Sequence, residues 1–307
     1  MLTVRAVLAK DEPWAPAGHE IAWAQRVPEP VPVRRPTRAS RPDPALFDPR
    51  TGRLNRIGNL PVTGPRLDLW RAPTDNDRLG HDPVADAWRR IGLDRLHHRL
   101  LGIDTEADAV VVRTRVAPAA TDLGMHATYR WQDTAEGLRL TAEIEPDGDW
   151  QDIPLPRLGL RMSLPAWIDH VTWYGLGPGE AYPDSRLAAR LGRHSSTVDA
   201  LQTPYVFPQE NGSRADVHWA ELTGPQGGLR LTGAPTYHLT ARRWTSEDLD
   251  TARHTDELRP GGAVHVTVDL AQHGLGSAAC GPRVLPHYRL TARSAAFAVT
   301  LSETSGG

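Results

Sequence analysis

In Val264-His265-Val266-Thr267-Val268-Asp269-Leu270 every second residue is apolar, and Leu138-Arg139-Leu140-Thr141-Ala142-Glu143-Ile144-Glu145 repeats the pattern. A period of two puts successive side chains on opposite faces of an extended strand, one face buried and the other wet. Shorter runs of the same kind lie at 110–116, 125–131, 229–231, 237–244 and 296–301. Gly and Pro, 27 of each, separate them with the residues that tight turns demand. Many short strands punctuated in this way predict an all-β chain, a large antiparallel β-sandwich. One helix is predicted. Asp82 is placed to cap it, Pro83 suits its first turn, and Val84, Ala87, Trp88 and Ile91 share one face before Gly92.

The first 26 residues stand apart. Leu2 to Leu8 and Glu20 to Trp23 read as two strands joined by a loop with Pro13, Pro16 and Gly18. Two strands cannot bury enough surface to make a domain. From 27 to 44 Pro and Arg dominate, which predicts an extended linker without a strand. A strand is expected at Ala45-Leu46-Phe47, then a turn through Asp48, Pro49 and Gly52 and a returning strand at Leu54.

At 307 residues the chain can build a sizeable core. A net charge of −2 gives no electrostatic reason to expect nucleic acid or an anionic membrane as a partner. Cys280 is the single cysteine, so no internal disulfide forms, and the expected compartment is the cytoplasm. No apolar run approaches the roughly 18 residues that span a bilayer. The opening residues are interrupted by charge too early for a signal peptide.

The chemistry is concentrated in Leu69-Trp70-Arg71-Ala72-Pro73-Thr74-Asp75-Asn76-Asp77, followed by Arg78-Leu79-Gly80. It reads as a strand end that breaks at Ala72-Pro73 and opens into an acidic loop. On this reading Trp70 offers a face for stacking on a sugar, and the Asp and Asn side chains offer partners for hydroxyls. An ordinary Asx-rich turn fits the same residues. Two further stretches share its character. One runs from Trp173 to Asp184 through Gly175, Gly177, Pro178, Gly179 and Glu180, and leads to Thr203-Pro204-Tyr205-Val206-Phe207-Pro208-Gln209-Glu210-Asn211-Gly212. The other is Gly274-Leu275-Gly276-Ser277 through Cys280-Gly281-Pro282.

In their order and spacing these three stretches resemble the C-terminal region of family 2 glycoside hydrolases, the β-galactosidases, over roughly residues 45 to 302. The resemblance implies three parts. Residues 1–26 are a remnant of an immunoglobulin-like domain, 27–44 a linker, and 45–307 a sandwich similar in fold to galactose mutarotase. It also implies that the chain is the last part of a larger enzyme, as a gene fragment or a small chain. The start inside the preceding domain favours a split or truncated gene. The implied activity is hydrolysis of terminal β-D-galactosyl residues, as in lactose, with retention.

A retaining glycosidase needs two carboxyl groups about 5 Å apart. In the family both are glutamates on a (β/α)₈ barrel, the acid/base in an Asn-Glu pair. Here Asn55, Asn59, Asn76 and Asn211 are each followed by another residue, and no eight-fold strand–helix alternation occurs. The resemblance therefore implies no catalytic residue in this chain, and neither Glu180 nor Glu210 as nucleophile. The implied partners are the β-galactoside and the barrel-bearing part, in an oligomeric whole. Mg²⁺ and Na⁺ are implied for that whole enzyme, with no cofactor or metal held by this chain.

The site residues expected here line pocket-closing loops: Asp75, Asn76, Asp77 and a mobile Gly80, with Cys280 or Gly281 where relatives carry a stacking Trp. Glu210 and Asn211 are further candidates, with a buried hydrogen-bonded network as the competing reading. His97-His98 and His194-Ser195-Ser196 are neighbours without the geometry of a site. Two rival readings are a stand-alone carbohydrate-binding module and a mutarotase-like enzyme, the latter by fold analogy alone.

Overall fold

The computed structural model describes residues 1–26, 38–119, 121–151, 153–277 and 284–305. The chain divides into two units, Met1–Arg35 and Pro36–Gly307. In the first, β1 (Leu2–Val7) pairs antiparallel with β2 (Glu20–Arg26), from Leu2↔Arg26 to Val7↔Glu20. Its apolar residues Leu2, Val4, Val7, Trp14 and Ile21 are all exposed.

The second unit is all-β. Its strands are β3 (Ala39–Ser40), β4 (Leu54–Ile57), β5 (Leu60–Asp68), β6 (Leu96–Thr105), β7 (Val110–Pro118), β8 (Gly124–Thr134) and β9 (Gly137–Asp147). They continue with β10 (Arg157–Pro165), β11 (His170–Gly177), β12 (Arg190–Thr197), β13 (Arg214–Gly224), β14 (Gly227–Arg242), β15 (Ala263–Gln272) and β16 (Ala295–Thr304). The neighbour order is β4-β5-β10-β15-β14-β16-β9-β8-β7-β6. From β14 a branch continues through β13 and β11 to β12, and β3 lies against β8. Every pairing is antiparallel.

This sheet closes over itself. The Leu67 backbone N–H on β5 donates to Tyr129 Oη on β8 at 2.8 Å, six places along the strand order. At the β4–β5 turn, Asn59 N–H donates to the Glu303 carboxylate on β16 at 3.2 Å. Between the two layers Leu67, Trp131, Leu140, Leu160, Val268 and Leu301 are buried. Each such aliphatic side chain contributes roughly 1.5–3 kcal/mol by leaving water.

The long strand β14 merges two runs that the sequence presents separately, 229–231 and 237–244. Its first half pairs with β16 and its second half with β15. Pro235, which has no N–H to give, sits where the strand passes from one neighbour to the other.

Three local expectations are corrected. The strand predicted at Ala45-Leu46-Phe47 survives only at Phe47, which bridges Leu54 antiparallel across the turn; Pro44–Leu46 is a 3₁₀ turn, because the Asp43 side chain accepts from Ala45 N–H and Pro44 occupies its first turn. The stretch 27–44, expected to hold no strand, contributes Ala39–Ser40, which pairs with Thr134 and Asp133; residues 27–37 lie outside those described. The predicted helix is α2 (Val84–Ile91), but Pro83 rather than Asp82 is its N-cap and no side chain caps it. Gly92, left-handed at φ 82°, ends it.

Candidate functional site

The C-terminal ends of β5 and β15 flank the start of β10, with Asp68 opposite Gly159 and Gln272 opposite Arg157. The segments that leave these strands, 69–80 and 273–277, therefore emerge side by side. The stretch before β13 enters the same place because Arg214 pairs with Leu239 on β14. All three stretches singled out from the sequence meet here.

Arg71 is the centre of the junction. Its Nη1 donates to the His273 carbonyl at 2.6 Å, and its Nη2 to the Gly274 carbonyl at 3.1 Å and to both Asp77 oxygens at 3.0 and 2.9 Å. Asp77 also accepts from Thr74 N–H and Oγ1, while Thr74 Oγ1 accepts from Asp77 N–H, a capping box that starts α1 (Asp75–Arg78). Asn76 Nδ2 reaches the Leu275 carbonyl at 3.0 Å. Gly276, at φ 134°, permits this approach, since a Cβ there would lie 2.4 Å from Asn76 Nδ2. Asp184 holds the same loop by accepting from Leu275 and Gly276 N–H at 2.9 and 3.0 Å.

Beneath lies a charged layer. Tyr182 Oη and Arg242 Nη2 donate to Glu210 Oε1 at 3.2 and 2.9 Å, and Arg157 Nη2 stands 3.3 Å from it. Burial would raise the Glu210 carboxyl, but Arg242 and Arg157 outweigh burial and hold it below its ordinary value. Asp269, buried opposite Gly159, is pushed up to about 6 by burial, against the pull of Arg157. Gly159 makes room for it, because a Cβ there would come within 2.1 Å of Asp269 Oδ1. Burial, Arg71 and Arg289 lower His273 to about 3, and its neutral Nδ1 accepts from Leu290 N–H.

The expected site residues separate into two groups. Asp75, Asn76 and Gly80 are exposed, and Gly80 is left-handed at φ 102°. Asp75 is tied to Gln209 through its N–H at 2.9 Å and its carboxylate at 3.1 Å. Asp77, Glu210 and Asn211 are buried and hydrogen-bonded to internal partners, and act as struts of the junction. Asn211 accepts from Thr203 N–H and donates to the Gln209 carbonyl. Trp70, at 2% exposure and edge-on to Trp88 at 6.3 Å, has no exposed face for a sugar, which leaves the ordinary-turn reading of its stretch. Cys280 and Gly281 lie outside the described residues.

The exposed rim gains Tyr205, Val206 and Phe207. Tyr205 Oη donates to Glu180 Oε1 at 2.9 Å, and Glu180 Oε2 accepts from Thr203 Oγ1 and Gly212 N–H. The Arg78 guanidinium covers Phe207 at 4.6 Å. Glu180 and Glu210 thus serve as acceptors for neighbouring donors. Among the described residues no three His, Cys, Asp or Glu side chains converge to hold a metal ion. The His–carboxylate pairs His126–Asp147, His170–Asp169 and His254–Glu257 are on exposed surface. Arg157 and Arg242 lie outside the three stretches that the sequence marks, and Arg71 and Asp184 lie inside them with no role legible there. The available signal was charge flanked by buried apolar residues, as at Leu155-Pro156-Arg157-Leu158.

No described helix is long and apolar enough to cross a membrane. By fold the chain has a loose likeness, TM-score 0.44 at 10% identity, to a galactose mutarotase-like protein from Clostridium acetobutylicum, over 79% of this chain and 80% of that one. By sequence the chain is 36% identical to a β-galactosidase of Arthrobacter sp. (strain B7), over 94% of this chain and 32% of that protein. It is 30% identical to one of Priestia megaterium, over 90% of this chain and 28% of that protein. The chain spans about a third of the length of these relatives. The model of β-galactosidase domain 4 matches residues 1–28, and that of the β-galactosidase small chain matches residues 44–301. The chain belongs to the β-galactosidase small-chain family.

Proposed function

We propose that this chain is the pocket-closing, C-terminal part of a β-galactosidase that hydrolyses terminal non-reducing β-D-galactosyl residues with retention. The catalytic glutamates in this reading belong to a barrel domain outside the chain. The observation that carries it is the convergence of 69–80, 203–213 and 273–277 on one end of the sheet, braced from below by Arg71, Arg157 and Arg242. Such bracing presents Asp75, Asn76, Gly80 and Tyr205 outward on a surface held by buried ion pairs. Asp75 and Asn76 offer an acceptor and a donor to sugar hydroxyls, and Gly80 gives the loop a hinge. Mg²⁺ and Na⁺, implied for the whole enzyme, are assigned to the segments outside this chain.

The test uses the purified chain and a nitrophenyl β-D-galactoside. The chain alone gives no turnover, and mixing it with the separately produced barrel-bearing segment restores turnover. Hydrolysis by the chain alone, from a host lacking β-galactosidase, would overturn the assignment of catalysis to the missing part. In the restored enzyme Asp75→Ala raises KM several-fold more than it lowers kcat, since Asp75 is placed to bind and not to react.

A further inference from the structure

The adjacent histidines on β6 point to opposite faces, and His98 turns inward. Together with Arg53, Arg66, Thr51, Thr114 and Tyr129 it lines a recess of about 30 Å³, against the roughly 10–15 Å³ that one water needs. The strands set this up. Leu54 pairs with Gly64, which brings Arg53 alongside the Pro65–Arg66 end of β5. The turn at Gly52, left-handed at φ 70°, presses so close to β7 that a Cβ would meet Val112 Cγ1 at 2.3 Å.

The recess is cationic without a matching anion. Arg66 stands directly opposite Arg161 in the β5–β10 register, a like-charge pair that costs stability. The nearby carboxylates, Asp68 and Glu247, are taken up by Arg161, at 3.6 and 2.7 Å. Neither the Arg53 nor the Arg66 guanidinium has an ion-pair partner among the described residues. Burial and then Arg66 and Arg53 drive His98 down to about 3, which reports a positive local field. Thr114 Oγ1 is buried beside Tyr129 Oη without a well-formed hydrogen bond, and Tyr129 Oη itself accepts from Leu67 N–H. Two guanidiniums without a carboxylate partner among the described residues and a buried hydroxyl in one recess match the donor needs of a tetrahedral oxyanion.

We propose that the recess between Arg53, Arg66, His98 and Thr114 is a binding site for a small oxyanion of the phosphate class. It lies outside the converging loops, so its ligand is bound independently of any sugar.

Thermal unfolding of the 307-residue chain at pH 7 in 10 mM inorganic phosphate, against sodium chloride of equal ionic strength, tests the site. Phosphate raises Tm by about 2–4 °C over chloride. Arg66→Gln and Arg53→Gln abolish the difference, and Thr114→Val reduces it. Arg56→Gln, on an exposed position of β4 outside the recess, retains it in full. Phosphate also shifts the His98 ring proton signal in the NMR spectrum of the unaltered chain, a readout independent of whether the variants fold. An equal Tm in phosphate and chloride, an unshifted His98 signal, or an undiminished phosphate effect in folded Arg66→Gln would each overturn the proposal.

Discussion

Both units of this chain alternate apolar and polar residues, and both carry an Arg–carboxylate pair, yet the same pattern has opposite outcomes. In the hairpin of β1 and β2, Leu2, Val4 and Ile21 stay exposed, and Arg5 pairs with Glu20 at side-chain exposures of 56% and 19%. In the larger unit Val264, Val266 and Val268 are fully buried, and Arg71 pairs with Asp77 at 0% and 2%. Alternation specifies an extended strand with one apolar face; burial needs a second layer to cover that face. The larger unit has one because its sheet folds over itself. The difference also decides what each ion pair is worth. A pair in water is nearly neutral, whereas a desolvated charge that loses its partner is costly.

The sharpest way to break this comparison is to remove one partner from the buried pair. Asp77→Ala leaves Arg71 charged in the interior and costs about 3–5 kcal/mol, read from the denaturant midpoint. A loss under about 1 kcal/mol would show that water reaches Arg71 and that the two pairs are alike.

The next effect is smaller and depends on pH. Asp269 titrates at about 6 in the folded chain, above its ordinary value of 3.8. The folded chain therefore holds this proton more tightly than the unfolded chain. The resulting stability is complete below about pH 4 and is lost as pH rises through about 6. Asp269→Asn flattens that window, which thermal melts at pH 4, 5, 6 and 7 will display. An unchanged slope would place the burial cost of the charged layer on another group.

The smallest change belongs to the hairpin. Glu20→Gln shifts unfolding by about 0–1 kcal/mol, as expected for a pair in contact with water. A cost as large as that of Asp77→Ala would mean that β1 and β2 are covered in solution.

Particular residues show how far the sequence could be read. Val84, Trp88 and Gly92 announced α2, because helical period and a left-handed terminator are local properties. The three stretches around Asp75, Glu210 and Leu275 were recognisable as markers, but nothing in their separation along the chain says that they touch. Trp70 illustrates the limit. Its residue type suits a sugar face, yet the fate of an indole depends on what packs against it, and here that is Trp88. Pro235 lies between the part of β14 that pairs with β16 and the part that pairs with β15, and no local signal says that the two runs join into one strand.

The sequence by itself determined the all-β class, the helix α2 and the residues that mark the family, since these follow from short-range periodicity and from strings of neighbouring residues; it did not show the short helices Asp75–Arg78 and Ser246–Thr251. Only the tertiary structure decided which charges are buried, which strands lie side by side, and that Asp77 and Glu210 are struts while Asp75 and Asn76 face outward. The physical reason is that desolvation and ion pairing act between groups far apart in sequence. Arg71 and His273, 202 positions apart, meet only because β5 and β15 both flank β10.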